Sequence, residues 1–531
     1  MTVGAREQTR SATGSTLVDL VLLGVSGAAL WAAFPGLSLW YLVVPSLAIL
    51  VGVVDRVSPV RGGLYAAFWA MVFFLPHIGW VLTATSNTWG AWIALCGAEA
   101  FFLFLWGFSF SALGTWKWSR SLPGQALGGA LLWVAFEQLR SRVPFGGFPW
   151  GNVSYPQVDS PMVAYAPLGG EVLVSLLVFV AAVCLRRALG PAVSGSPTWA
   201  RLGALGLSVA IVFGPFFVRL PNAEQAGTVT VAAVQGNVEI PMEETFSIPL
   251  KVTGNHLRET LVMAEQSTPD VVFWGENATD IDPREDPATA ELVARAVDAT
   301  GVPLVFGLME YSGGVRYNWI GIWYPGSGLD LEMYGKQHPV PWGEYIPMRE
   351  ISMWLATAAA QVSVDMVGVE NPGYLEVQLQ GDRVLPIAVG ICFEAAYEPI
   401  IAEGVQLGGQ LIYIPTNNAH FRETAESVQQ LQMVQFRAAE FSRSALQVST
   451  NGVSAIIRPD GSIYQATGTQ EAANLEATIP LRTIMTPSAK MGEVPATLVM
   501  ILGSGLALTS LGAYAYGAAL RKDASQKKRR R

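Results

Sequence analysis

Eight apolar runs constrain this chain more than anything else in it: residues 16 to 34, 38 to 54, 64 to 83, 90 to 114, 124 to 139, 170 to 188, 201 to 219 and 494 to 519. Most are close to the ~20 residues that span a bilayer, so they read as about eight membrane helices. The composition agrees. A chain of 531 residues that is 51% hydrophobic and 14% charged, with a mean hydropathy of +0.36, is too apolar for an ordinary soluble enzyme. The fifth run, "GQALGGALLWVAFEQLR", is the weakest of the set. No small-residue cleavage site follows the first run and similar segments keep coming, so it reads as a retained helix and not a cleaved signal.

The loop charges give an orientation. Arg6 and Arg10 precede the first run, Arg56 and Arg61 follow the second, and Lys117 and Arg120 follow the fourth. Arg186, Arg187 and Arg201 lie between the sixth and seventh, and the tail "RKDASQKKRRR" follows the last. These are alternate loops, while "PGLS" and "TATSNTWG" between them carry no charge. The positive-inside rule then places both termini in the cytoplasm and the region from about 220 to 493 outside it, on the far face of the cell membrane. Arg140 and Arg142 break the pattern and suggest a functional loop near lipid headgroups, where basic side chains suit phosphates. The basic tail reads as a topology anchor.

Between about 228 and 485 the composition becomes that of an α/β domain, with β-like runs such as "TVTVAAVQGNV", "DVVFWGE", "RVLPIAVGICFE" and "QLIYIPTNN" separated by helix-like stretches. The expected organisation is therefore a membrane domain over 1–227, an α/β domain over 228–490, and a last helix with the basic tail over 491–531. Nearly continuous apolar strands imply sheets covered by helices. Three strand ends carry reactive side chains: Glu276, Lys336 and Cys392. Singly, each has an ordinary explanation, because a free cysteine is often a small core residue and Lys and Glu are usually surface charges. Their apolar flanks argue otherwise. A thiol needs a base to become a thiolate, and an acyl-transfer intermediate needs a cation or N–H donors near its oxyanion; Glu, Lys and Cys supply those functions. Cys96 and Cys184 fall in membrane runs, leaving Cys392 without a disulfide partner in this region.

In order along the chain, "WGEN", "YGKQHPVPWGEYIP" and "GICFE" resemble the Glu, Lys and Cys motifs of the nitrilase (carbon–nitrogen hydrolase) superfamily. The membrane helices around them single out one branch, the apolipoprotein N-acyltransferases. "FGGFPWGNVSYPQ", "AAVQGNV", "TNNAHF" and "STNGVSAIIRPDG" are also similar to segments of that family. The chain departs from the usual family residues at Gly275, Trp342, Asn418 and His420, which puts the shape of the pocket edge in question and leaves the triad intact. The resemblance implies a four-layer α-β-β-α sandwich and a ping-pong reaction without cofactor. Cys392 would take an acyl group from a phospholipid as a thioester, then pass it to the α-amino group of the diacylglyceryl cysteine of an apolipoprotein. Glu276 would be the general base and Lys336 the oxyanion cation, with Glu344 and Glu394 supporting them by hydrogen-bonding Lys336 and setting the charge balance. Phe145, Phe148 and Trp150 suit an acyl-chain entrance at the membrane interface, and Trp274, Asn318, Trp342, Tyr345 and His420 are further expected substrate contacts.

Other classes are weighed against this one. None of His77, His256, His338 and His420 has ligand spacing, so no metal is expected. A formal net charge of −8, with no exported basic patch or Gly-rich phosphate loop, speaks against a nucleic-acid partner. A membrane-bound amidase, in which water resolves the thioester, and a silent scaffold for a membrane glycosyltransferase partner stay open. About eight helices favour an acyl donor resident in the bilayer.

Overall fold

The computed structural model describes residues 12–190, 197–238, 248–350 and 362–529. The apolar part forms α1 (Ala12–Ala32), α2 (Val43–Val54), α3 (Pro59–His77), α4 (Trp80–Ala84), α5 (Trp89–Leu113), α6 (Leu122–Arg140), α7 (Ala166–Leu189) and α8 (Thr198–Phe213), joined by a C-terminal helix over Val494–Arg529. Among the described residues four helical segments are long and apolar enough to cross a membrane: Trp89–Leu113, Pro161–Leu189, Thr198–Phe217 and Val494–Leu520. The other runs form shorter or less apolar helices. The run at 64 to 83 is broken after His77, where Pro76 lies in the last turn of α3 and cannot donate a backbone hydrogen bond. The weak fifth run is a helix, α6, with Pro123 in its first turn and Ser121 Oγ accepting from Gly124 N at 3.2 Å as its cap. Small residues bring α3 and α5 together, since a Cβ on Gly62 would lie 2.8 Å from the Gly107 carbonyl oxygen.

Residues beyond Thr228 build two sheets. The first has the order β13 (Ala473–Pro480), β1 (Thr228–Gln235), β2 (Val271–Trp274), β3 (Leu304–Ser312), β4 (Val315–Tyr324), β5 (Gly328–Leu329), with β6 (Tyr334–Gly335) also on β4. The second runs β12 (Ile463–Ala466), β11 (Ala455–Ile457), β10 (Ser444–Ser449), β9 (Leu411–Thr416), β8 (Arg383–Val389), β7 (Tyr374–Leu379). The centres are parallel, β1–β2–β3 and β8–β9–β10, and the edges antiparallel.

Strand alternation separates the layers. In β2 Phe273 faces the other sheet, with its ring 4.8 Å from Tyr413, whereas Trp274 faces outward into the core beneath α9 (Lys251–Ala264) and α10 (Pro287–Thr300). α11 (Glu398–Gln406) and α12 (Glu426–Phe441) cover the second sheet. The result is helix, sheet, sheet, helix. The α12 layer also packs against α7 and, with the short α13 (Pro487–Met491), leads into the C-terminal helix α14 (Val494–Arg529). One polar contact of α12 with the apolar helices is made by Gln429, whose Nε2 donates to the His77 carbonyl oxygen at 3.0 Å while its Oε1 accepts from Trp80 Nε1 at 3.0 Å and Trp150 Nε1 at 2.7 Å.

Candidate active site

Glu276 follows β2 and Lys336 follows β6, two strands of the first sheet, and both side chains are buried. Lys336 Nζ donates to Glu344 Oε1 at 2.6 Å and to Glu276 Oε1 at 3.3 Å. Glu276 is held from two other sides: its Oε1 accepts from Asn318 Nδ2 at 2.6 Å and its Oε2 from the Asn417 backbone N–H at 2.9 Å. Glu344 is fixed by its own loop, with Oε2 accepting from the Val340 N–H at 2.7 Å. Burial pushes the Glu276 carboxyl above the ordinary range; Lys336 opposes that rise and Glu344 adds to it. For Lys336 burial works against the charge, but Glu276 and Glu344 outweigh it and hold the ammonium above the usual lysine range. The site thus couples a fixed cation to a carboxylate of raised basicity.

Cys392 follows β8 of the second sheet and opens a 3-10 turn, Cys392–Ala396. Its φ of +55° lies in the left-handed region, which costs a non-glycine residue ~1–3 kcal/mol and persists only where its surroundings over-determine it. They do. Glu394, with none of its surface exposed, accepts from the Ile391 N–H at 2.6 Å and Tyr334 Oη at 2.8 Å through Oε2, and from the Gln337 and His338 N–H groups at 2.7 and 2.9 Å through Oε1. One carboxylate therefore ties the turn before Cys392 to the segment after Lys336. Burial and the Glu276 charge push the thiol well above its ordinary range, with Lys336 pulling the other way. The thiol therefore lies in the field of both the Glu276 carboxylate and the Lys336 ammonium.

Of the two supporting carboxylates, Glu344 hydrogen-bonds Lys336 as expected, whereas Glu394 hydrogen-bonds backbone and Tyr334 and not Lys336. Of the expected substrate contacts, Asn318 is fully buried and holds Glu276. Trp274 turns away from the site, buried under the helices with Nε1 donating to Thr260 Oγ1 at 3.0 Å. Its place is fixed by strand parity. Trp150 is buried and stacks on Phe393, next to Cys392, with ring centroids 5.4 Å apart and planes 5° from parallel; Phe148 stacks on both. Phe145 and Trp342 are exposed and meet edge-to-face at 5.4 Å, joining the loop after α6 to the Glu344 loop. Tyr345 is half-buried in that same loop and His420 is exposed.

Arg140 is no headgroup-facing side chain. It is buried, donating to Glu99 Oε2 at 2.9 Å, the carbonyl oxygens of Phe148 and Trp150 at 3.1 and 2.9 Å, and Asn152 Oδ1 at 2.5 Å, and so clamps the aromatic loop. Sequence reading also missed Arg437. Fully buried on α12, it donates to the carbonyl oxygens of Ala395 and Ala396 at 3.2 and 3.1 Å, to Glu440 at 2.6 Å and to Glu171 of α7 at 3.1 Å, so one guanidinium links the cysteine turn to a membrane helix. "FRAAEF" offered a charge pair at i,i+3 but no sign of its partners. Among the described residues no group of three His, Cys, Asp or Glu side chains converges to hold a metal.

Two family models match the chain. Apolipoprotein N-acyltransferase N-terminal domain covers residues 26–184 and carbon-nitrogen hydrolase covers 230–486. The apolipoprotein N-acyltransferase of Mycolicibacterium smegmatis is 33% identical over 91% of this chain and 84% of its own length. The chain belongs to the apolipoprotein N-acyltransferase family. Proteins of the same name from Azotobacter vinelandii and Pseudomonas putida are 31% and 30% identical, over 91% and 92% of this chain and 93% and 96% of theirs. An amidase from Nesterenkonia sp. overlays on 51% of this chain and 96% of its own, at 15% identity and a TM-score of 0.36, which adds nothing to the sheet order above.

Proposed function

We propose that this membrane protein transfers an acyl group from a phospholipid to the α-amino group of a diacylglyceryl cysteine at the N-terminus of an apolipoprotein, through a thioester on Cys392. The observation that carries this reading is the joint between the aromatic loop and the cysteine turn: Trp150 lies flat on Phe393, and Tyr397 Oη donates to the Gly146 carbonyl oxygen at 3.1 Å. A thiol intended for a water-soluble amide has no need of that contact. A donor arriving along the bilayer does, and Phe145 and Trp342 form the edge it would cross.

In the first half-reaction Glu276 takes the thiol proton and the thiolate attacks the ester carbonyl. Lys336 balances the oxyanion, and the lysophospholipid leaves with the proton that Glu276 returns. In the second, the acceptor amine attacks the thioester, Glu276 removes its proton, and the carbon–sulfur bond breaks to regenerate the thiol. Tyr345 and His420 shape the pocket edge. We place about eight helices in the cell membrane as a multi-pass bundle over 1–227 and 491–531, both termini in the cytoplasm and the domain at 228–490 on the opposite face, as the alternating basic loops support. The reading requires a phospholipid and a diacylglyceryl apolipoprotein, and no glycosyltransferase partner.

The test separates acyl transfer from hydrolysis. Acyl-enzyme isolated from labelled phospholipid is mixed with a peptide bearing an N-terminal diacylglyceryl cysteine. Label should move to the peptide as a hydroxylamine-resistant amide. Release as free fatty acid at the same rate with and without peptide would favour the amidase-type alternative and overturn the proposal.

A further inference from the structure

An apolar cavity lies at the end of the bundle away from the catalytic domain. A cavity of about 330 Å³ opens between α1, α2 and α7, walled by Leu22, Ala48, Val53 and Leu185 and rimmed by Arg56 and Arg186, within the ~300–1,000 Å³ usual for small-molecule sites. It is far from the chemistry. Arg186 lies 15 residues beyond Glu171 on α7, a rise of roughly 22 Å at 1.5 Å per residue, and Glu171 is the end that meets the catalytic domain through Arg437. Arg56 precedes α3, whose other end is His77, held by Gln429.

The two arginines are placed by specific features. Arg56 pairs with the buried Asp19 of α1, which fixes its guanidinium at the rim. Arg186 crosses α2 at Gly52, where a Cβ would stand 2.6 Å from its Nε, so only glycine lets the side chain lie against that helix. Among the described residues Arg186 forms no ion pair, although Asp55, Arg56 and Arg187 act on it electrostatically. Three arginines face two aspartates here, Asp19 already being engaged by Arg56. A cationic rim over an apolar groove between membrane helices suits a phosphate with a hydrocarbon chain behind it.

We propose that this groove binds an anionic phospholipid, one acyl chain between α1, α2 and α7 and its phosphate at Arg56 and Arg186, as a site separate from that of the acyl donor. The lipid ties the helices whose far ends carry the catalytic domain. Free phosphate shares the headgroup chemistry but lacks the chain, so the two are distinguishable.

The test uses the full chain purified in detergent, with phosphatidylglycerol, phosphatidylcholine and inorganic phosphate added separately, reading thermal stability and, by native mass spectrometry, retained lipid. Phosphatidylglycerol should raise the Tm and remain bound, and the other two should do neither. Arg186→Gln should lower that retention roughly fivefold, in line with one basic side chain beside an anionic headgroup, while acyl-enzyme forms at the normal rate; Arg186→Lys should restore most of it. Ala48→Phe, which fills the groove and keeps both arginines, should lose the same single lipid, so the result does not depend on Arg186→Gln folding well. Equal stabilisation by phosphatidylcholine, a full shift with inorganic phosphate, or unchanged retention in Ala48→Phe would overturn the proposal.

Discussion

Glu394→Gln tests whether the cysteine turn is held in place by one buried carboxylate. The carboxylate accepts four hydrogen bonds, and an amide can accept only on its oxygen side. If that oxygen keeps the Gln337 and His338 N–H groups, neither of which can reorient, the amide nitrogen faces Tyr334 and Ile391. The Tyr334 hydroxyl can rotate and accept; the Ile391 N–H cannot, and is left orphaned directly before Cys392. Losing one charge-assisted bond and stranding one buried donor costs about 3 kcal/mol in all, part of it appearing as lower stability and part as a released left-handed turn. Acyl-enzyme formation in a single turnover should fall by up to about a hundredfold, with a lower Tm. Tyr334→Phe should cost about 1 kcal/mol alone, and less than that in the Glu394→Gln background, because the two groups share one bond. A Glu394→Gln protein with normal acylation and normal Tm would refute this reasoning.

Lys336→Ala should slow both half-reactions by about 3–4 kcal/mol of barrier, the scale of one oxyanion donor, measured as acyl-enzyme formation and as transfer to an acceptor peptide. Glu344→Gln removes the negative neighbour that helps hold the Glu276 carboxyl high. Because Glu276 must be ionised to act as base, the acid limb of the acylation pH profile should move to lower pH, and a shift upward would contradict the assignment. Glu426, buried on α12, has its carboxyl pushed by burial to about 8 from 4.5. A folded pKa raised above the unfolded one means that the native state binds the extra proton, so stability falls as pH rises from 4.5 through 8; Glu426→Gln should flatten that part of a Tm-against-pH curve and raise the Tm above its upper end. Trp342→Ala, which opens the edge-to-face pair with Phe145, should raise KM for the phospholipid with little change in Tm.

How far the sequence could be read depended on whether a residue's partners were local. Glu276, Lys336 and Cys392 were visible because each sits in an apolar flank that makes a lone charge or thiol conspicuous, and α7 was visible because its apolar run is continuous. Trp274 was misread because "FWGE" does not reveal that the chain leaves strand β2 at Gly275, so the indole and the carboxylate two residues later need not face the same way. Arg140 looked like a loop charge because Glu99, its ion-pair partner, lies 41 residues earlier in α5. Arg437 was missed for the same reason: its acceptors come from α7, from the cysteine turn and from its own helix, and only the fold brings them together. Gly170 is a related case, since its φ of +61° and the Glu440 carboxylate where a Cβ would be make glycine necessary there, at the first residue of the sixth apolar run.

The central claim, that Cys392 carries the acyl group between donor and acceptor, is tested most directly by incubating the purified protein with acyl-labelled phospholipid and no acceptor, then mapping the label by mass spectrometry. The account predicts one acyl group on Cys392, released by hydroxylamine, and none on Cys392→Ser protein treated alike. Label on another residue, or label that persists in Cys392→Ser, would contradict it.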